Sequence, residues 1–112
     1  MKLALSLGAL LATLTVAAPA YKPDPAFADR DAGPGTIDVS SYPPEQQANY
    51  AVFEVKCSKC HPLARPVNSR FSAVEWKRYM KRMIRRPNSG INEEQAAKIY
   101  DFLKFHSTKL GL

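Results

Sequence analysis

The apolar positions of this chain form one long, mostly apolar run at the start and three helical stripes in the second half. Leu3 to Ala17 is mostly apolar and carries no charge. Far beyond it, Tyr50, Phe53 and Cys57 recur at steps of three and four residues. That period predicts a helix from Pro44 to about Cys57, with proline in the first turn, where no N–H is needed. Trp76, Tyr79, Met80, Met83 and Ile84 fall at i, i+3, i+4, i+7 and i+8 and predict a second helix. Ser72-x-x-Glu75 opens it as a capping box and Pro87 stops it. A third helix begins at Asn92 as N-cap, with Gln95 three residues on and Glu93 and Glu94 suited to the positive end of the helix dipole. Ala96, Ile99, Leu103 and His106 share a face that Tyr100 and Phe102 broaden, and Gly111 sits past the end. No repeat and no strand pattern is present, so the expected fold is all-α: a small three-helix domain over residues 44–112.

The rest of the chain lacks such a period. Residues 61–71 (HPLARPVNSRF) hold two prolines and read as a loop. Residues 21–43 are rich in Pro, Gly and Asp and read as a flexible tail, mildly acidic through Asp24, Asp29, Asp31 and Asp38 against Lys22 and Arg30. Residues 1–20 read as a signal peptide. Met1-Lys2 is a positive start, the apolar run follows, and Ala18-Pro19-Ala20 forms a small-x-small cleavage site before Tyr21. The run is short for a membrane span, which disfavours an uncleaved anchor. The expected destination is the periplasm. Cleavage leaves 15 basic and 10 acidic residues, a net charge of +5. A domain this small buries little apolar surface and usually needs a staple.

Cys57-Ser58-Lys59-Cys60-His61 supplies one. Cys-x-x-Cys-His is the attachment motif of haem c. Two thiols three residues apart near a helix end can each add to a vinyl group of one porphyrin. The next residue, His61, then lies where its imidazole nitrogen can ligate the iron. The other ring nitrogen needs an acceptor that fixes the ring, expected from a carbonyl of the following loop. Three other readings compete. A thioredoxin-like pair belongs in a βαβ context that this sequence lacks. Zinc would need a fourth ligand, and adjacent Cys60 and His61 fit poorly around one tetrahedral ion. A plain disulfide remains open to any exported cysteine pair. For a second axial ligand the candidates are Met80, Met83 and His106, since c-type carriers close the iron with Met or His.

From Cys57 to Leu103 the sequence resembles short class I-type mono-haem cytochrome c domains. In these, Cys-x-x-Cys-His is followed by a loop, then Trp-x6-Met on a helix, a Pro-Gly-Ser-type turn and a final helix. Trp76 and Met83 match the Trp-x6-Met spacing, and Pro87-Asn88-Ser89-Gly90 matches the turn, with Asn where Gly is common. The haem domain of the green-sulfur-bacterial reaction-centre cytochrome is a relative of this sort. The resemblance covers roughly the last 60 residues and not the tail. It implies one covalent haem c wrapped by the helices, with His61 and Met83 as iron ligands, Cys57 and Cys60 as attachment points, and electron transfer as the function.

Charge extends this expectation to partners. Residues 54–86 hold ten cations (Lys56, Lys59, Arg65, Arg70, Lys77, Arg78, Lys81, Arg82, Arg85 and Arg86) against Glu54 and Glu75. Most read as a solvated face. Arg65 is a candidate partner for haem propionates. The sharper expectation is a docking face for an acidic redox partner, with anionic headgroups as a second target and peripheral association with a membrane complex as a variant. Nucleic acid does not suit an exported haem protein. The expected function is a one-electron carrier and not an enzyme. The alternatives are a haem subunit of a larger oxidoreductase or respiratory complex, for which a flexible tail suits a tether, and an open-site haem sensor or enzyme.

Overall fold

A computed structural model describes residues 22–112. The signal-peptide reading of residues 1–20 lies outside the described residues. Within them the structure is helical and contains no strand. A 3-10 turn, Pro25–Phe27, leads into α1, Ala28–Asp31; then come α2, Pro44–Cys57; α3, Ala64–Val67; α4, Ala73–Arg85; and α5, Glu93–Lys109.

The three long helices lie where the apolar period puts them, and their ends follow local chemistry. Ser72 N–H donates to Glu75 Oε2 at 2.8 Å while Glu75 N–H donates to Ser72 Oγ at 3.4 Å, the reciprocal bonds of a capping box. Asn92 and Gln95 make the same exchange at 3.1 and 2.8 Å. At the far end of α4, Arg86 is already extended, as a residue before proline must be. Asn88 (φ 61°) and Gly90 (φ 64°) then take left-handed conformations that turn the chain towards α5.

α5 is the central element: α2 packs along one side of it and α4 along another. Tyr50 and Phe53 of α2 meet Phe102 of α5 with ring centroids 5.1 and 5.6 Å away. Gln46 Nε2 and Asn49 Nδ2 both donate to Asp101 Oδ2, at 2.8 and 3.2 Å, so a polar clasp flanks the aromatic seam. On the other side Trp76 is 2 % exposed and donates from Nε1 to Ser107 Oγ at 2.9 Å, and Ser107 in turn donates to the Phe71 carbonyl at 2.8 Å. This chain of two bonds satisfies a buried indole and locks α4 to α5. Ile84, expected on the apolar stripe, is 37 % exposed at the rim of α4.

The structure corrects two expectations. Residues 61–71 contain one helical turn, α3, whose Pro66 sits where an N–H is not required. Residues 22–43, read in the sequence as a flexible tail, touch the rest of the chain from Phe27 onward. Ile37 N–H donates to the Tyr50 hydroxyl at 2.9 Å, Tyr42 is buried, and Ile37 and Val39 pack on the core. Arg65 forms a two-pronged ion pair with Asp31, Nε to Oδ1 at 2.9 Å and Nη2 to Oδ2 at 2.7 Å. The cause is side-chain complementarity to residues far along the chain, which offsets the entropy of ordering a Pro/Gly-rich segment. A packed segment gives no support to the tether reading. Among the described residues no helix is long and apolar enough to cross a membrane.

Candidate functional site

The Cys-x-x-Cys-His segment runs off the C-terminal end of α2, where the helix hands the chain to a bend. Cys57 and Cys60 are free thiols and form no disulfide. Their surroundings differ. Cys57 faces the core, and burial pushes its thiol up to about 12. Cys60 is exposed. Neutral Cys57 is therefore held as an apolar group, while its neighbour stands in solvent.

His61 is fixed by the loop that follows it. Its Nδ1–H donates to the Pro62 carbonyl at 3.1 Å, which is the acceptor that the sequence reading expects without naming. The bond places the proton on Nδ1 and leaves the Nε2 lone pair available. Nε2 faces the Tyr79 hydroxyl at 3.4 Å. Tyr79 is missed as a site residue by the sequence reading, because its place in the apolar stripe of α4 suggests core and nothing local marks its hydroxyl. Its ring meets Trp76 edge-on at 5.3 Å, and the Arg82 guanidinium lies 5.9 Å above it. Burial chiefly, and the neighbouring Cys57, push the phenol up to about 12 against the opposing pull of Arg65, Arg82 and Arg86. The phenol is accordingly neutral at any physiological pH and can donate to Nε2.

The three candidates for a second iron ligand sit in different places. Met80 is 4 % exposed and belongs to the core between α4 and α5. His106 is committed elsewhere: its Nδ1 accepts from the Tyr42 hydroxyl at 2.6 Å, and its ring stacks on Phe102 at 5.8 Å and 13°. Met83 is half-buried, one turn beyond Tyr79 on the same helix. It lies just before the Pro87–Gly90 turn, which is tied back to the end of α2. Lys56 Nζ donates to the Gly90 carbonyl at 3.1 Å, and Lys59 Nζ lies 2.9 Å from where a Cβ on Gly90 would stand. Thus Cys57, His61 and Tyr79 are brought together, with the turn after Met83 closed over the same helix end.

His106 has a consequence for stability. Burial lowers its pKa below the ordinary 6.5, so the fold holds the neutral ring. The unfolded chain takes up the proton first as pH drops, and folding stability is therefore full above 6.5 and lost as pH falls through the lower folded value. The unfolding midpoint of the wild type is expected to fall between about pH 7.5 and about pH 5 more steeply than that of His106→Gln. Parallel profiles in the two proteins would contradict the assignment.

Arg65, a candidate for haem propionates, is instead engaged by Asp31 and lies 4.1 Å over the Phe27 ring. Among the described residues no group of three His, Cys, Asp or Glu side chains is placed to hold a metal ion. A surface groove of about 410 Å³ between α2 and α5 is lined by residues including Val52, Val55, Lys56 and Gln95 and does not contain the two thiols or His61. Comparisons with protein-family models, with curated proteins and with solved structures found no match.

Proposed function

We propose that this chain is an exported mono-haem c-type cytochrome that carries one electron at a time between redox partners in the periplasm. One observation above the others supports this reading. In the Cys-x-x-Cys-His segment both thiols are free, and the histidine is already in the tautomer an iron ligand needs. The residues fit the group in other respects too. α2 and α4 each lean on α5, and half-buried Cys57, Leu63, Val67, Phe71, Tyr79 and Ile91 pack against the core they form. A bound haem c supplies an iron that alternates between ferric and ferrous states.

The chain's own residues have distinct parts in this reading. Cys57 and Cys60 anchor the group through thioether bonds. His61 ligates through Nε2 while Pro62 holds its Nδ1–H, which keeps the ring oriented and raises its basicity. Tyr79 has to turn its hydroxyl from Nε2 for that ligation to form. Met83 would be the second residue holding the iron, since Met80 is buried between helices and His106 is bound to Tyr42. A filled second position favours electron transfer over the open site of a sensor or enzyme. An optical spectrum and a haem-stained denaturing gel of material from a cytochrome-maturing host test the reading: a haem band that survives denaturation is expected, and its absence would contradict it.

The outer face of α4 is the proposed docking surface for an acidic redox partner. Lys77, Arg78, Lys81, Arg82, Arg85 and Arg86 are all exposed, with exposed Val74 among them. Electrostatic steering predicts that electron exchange with an acidic partner slows by roughly 10-fold or more as salt rises from about 10 mM to about 300 mM. Lys81→Glu with Arg85→Glu is expected to lower the low-salt rate and flatten the slope. A flat wild-type response would remove the surface from the reading.

A further inference from the structure

We infer that residues 25–37 form a strap that sets the iron ligand His61, through a chain of bonds from Asp31 by way of Arg65 and the Pro62 carbonyl. The inference rests on the haem reading for its consequence, not for its geometry. The Asp31 carboxylate takes both prongs of the Arg65 guanidinium, at 2.9 and 2.7 Å, and the two side chains are only 12 % and 15 % exposed. Phe27 lies under the same guanidinium at 4.1 Å. A planar fork held on both its edge and its face has little freedom, so the Arg65 backbone is held with it. The Arg65 N–H donates to the Pro62 carbonyl at 3.1 Å, and this is the oxygen that accepts from His61 Nδ1. The strap thereby fixes the one acceptor that orients the imidazole.

Further bonds on the same pair of segments argue for a built device. Asn68 Nδ2 lies 2.9 Å from the Arg30 carbonyl, 3.0 Å from that of Pro34 and 2.8 Å from that of Ala64, bridging strap and α3. The strap backbone approaches so closely that a Cβ at Gly33 would stand 2.4 Å from Asn68 Nδ2. Ser69 Oγ donates to the Arg65 carbonyl at 2.8 Å. Asp31 and Arg65 are therefore positioning residues for His61.

The test separates positioning from plain electrostatics. A firm bond from Nδ1–H makes the imidazole a stronger donor and favours ferric iron, so loosening it raises the midpoint potential. Asp31→Asn removes a negative charge and Arg65→Gln a positive one. Charge alone predicts shifts in opposite directions; loss of positioning predicts that both variants shift upward. In the reduced holoprotein both variants are expected to exchange the His61 ring N–H at least ~10-fold faster, the change that accompanies opening made easier by about 1.4 kcal/mol. Phe27→Ala keeps both charges and serves where Arg65→Gln does not fold; it is expected to shift the potential the same way. Opposite shifts, or exchange within about 2-fold of the wild type, would overturn the inference. Should the wild type take up no haem, the functional reading fails, and the strap is judged on the Arg65 amide of the purified chain. Faster exchange in Asp31→Asn then supports it, and unchanged exchange overturns it.

Discussion

Replacing Cys57 and Cys60 together by serine is expected to abolish covalent haem entirely. Both thiols are free in the fold, and serine hydroxyls cannot form the thioethers. The consequence for stability is large because the native core is small. Its buried apolar side chains come almost wholly from α2, α4 and α5, together with Tyr42 and Ala64. A group tethered to the chain stays with it on unfolding, so it stabilises through the apolar contacts and ligation it makes only in the folded state, at the high effective concentration that tethering gives. Losing even ~3 kcal/mol lowers the unfolding midpoint by roughly 12–24 °C in a domain of this size. The single variants grade the effect. Cys60→Ser removes an exposed anchor and Cys57→Ser a half-buried one that faces the core, so Cys57→Ser is expected to cost more stability. Haem staining and thermal melts check both statements. Stainable haem in the double variant would place the attachment elsewhere.

The second large effect separates the two methionines of α4. Met83→Ala is expected to keep the covalent haem, lose the weak far-red absorption of methionine-ligated ferric iron, and open the reduced iron to carbon monoxide. Met80→Ala is expected to keep that band and to lose about 2–5 kcal/mol of stability, because Met80 is 4 % exposed and its removal leaves a cavity. Met83→His would restore a closed iron at a lower potential, since methionine ligation raises it relative to two imidazoles. The reverse pattern, with the band lost in Met80→Ala and kept in Met83→Ala, would exchange the roles of the two residues. His106 enters this comparison only through its bond to Tyr42. His106→Gln is expected to leave the band intact.

Much of the helical frame was legible in the residue pattern, for physical reasons. The ends of α4 and α5 are set by neighbours three residues apart, Ser72 with Glu75 and Asn92 with Gln95, and such bonds form whatever the rest of the chain does. The start of α2 at Pro44 and the break after Arg86 follow from proline sterics, which are equally local. The Cys-x-x-Cys-His segment was legible as a candidate site because its chemistry lies in five consecutive residues.

What the pattern did not carry depends on partners far along the chain. Asp31 and Arg65 are 34 residues apart, and no local signal joins them. A stretch with Pro, Gly and scattered Asp reads as a tail until the Asp31 side chain finds a guanidinium and its backbone groups find an amide and a tyrosine hydroxyl on other elements. The same holds for His106, whose helical position suggested a packing face but not the Tyr42 hydroxyl 64 residues before it. Tyr79 illustrates a subtler miss. Periodicity assigns a side chain to a face, and says nothing of where a hydroxyl at its tip arrives. The choice between Met80 and Met83 likewise rested on resemblance in the sequence. Met80 is buried and His106 is bound to Tyr42, and the alanine variants above decide which residue is the ligand.

Intact-protein mass spectrometry, with fragmentation, of the chain matured in a host that assembles c-type cytochromes gives the sharpest answer. The expected result is a chain beginning at Tyr21 that carries the mass of one haem, localised to the segment from Cys57 to His61. A mature chain without an added tetrapyrrole, or with Cys57 and Cys60 joined to each other, would contradict the proposal.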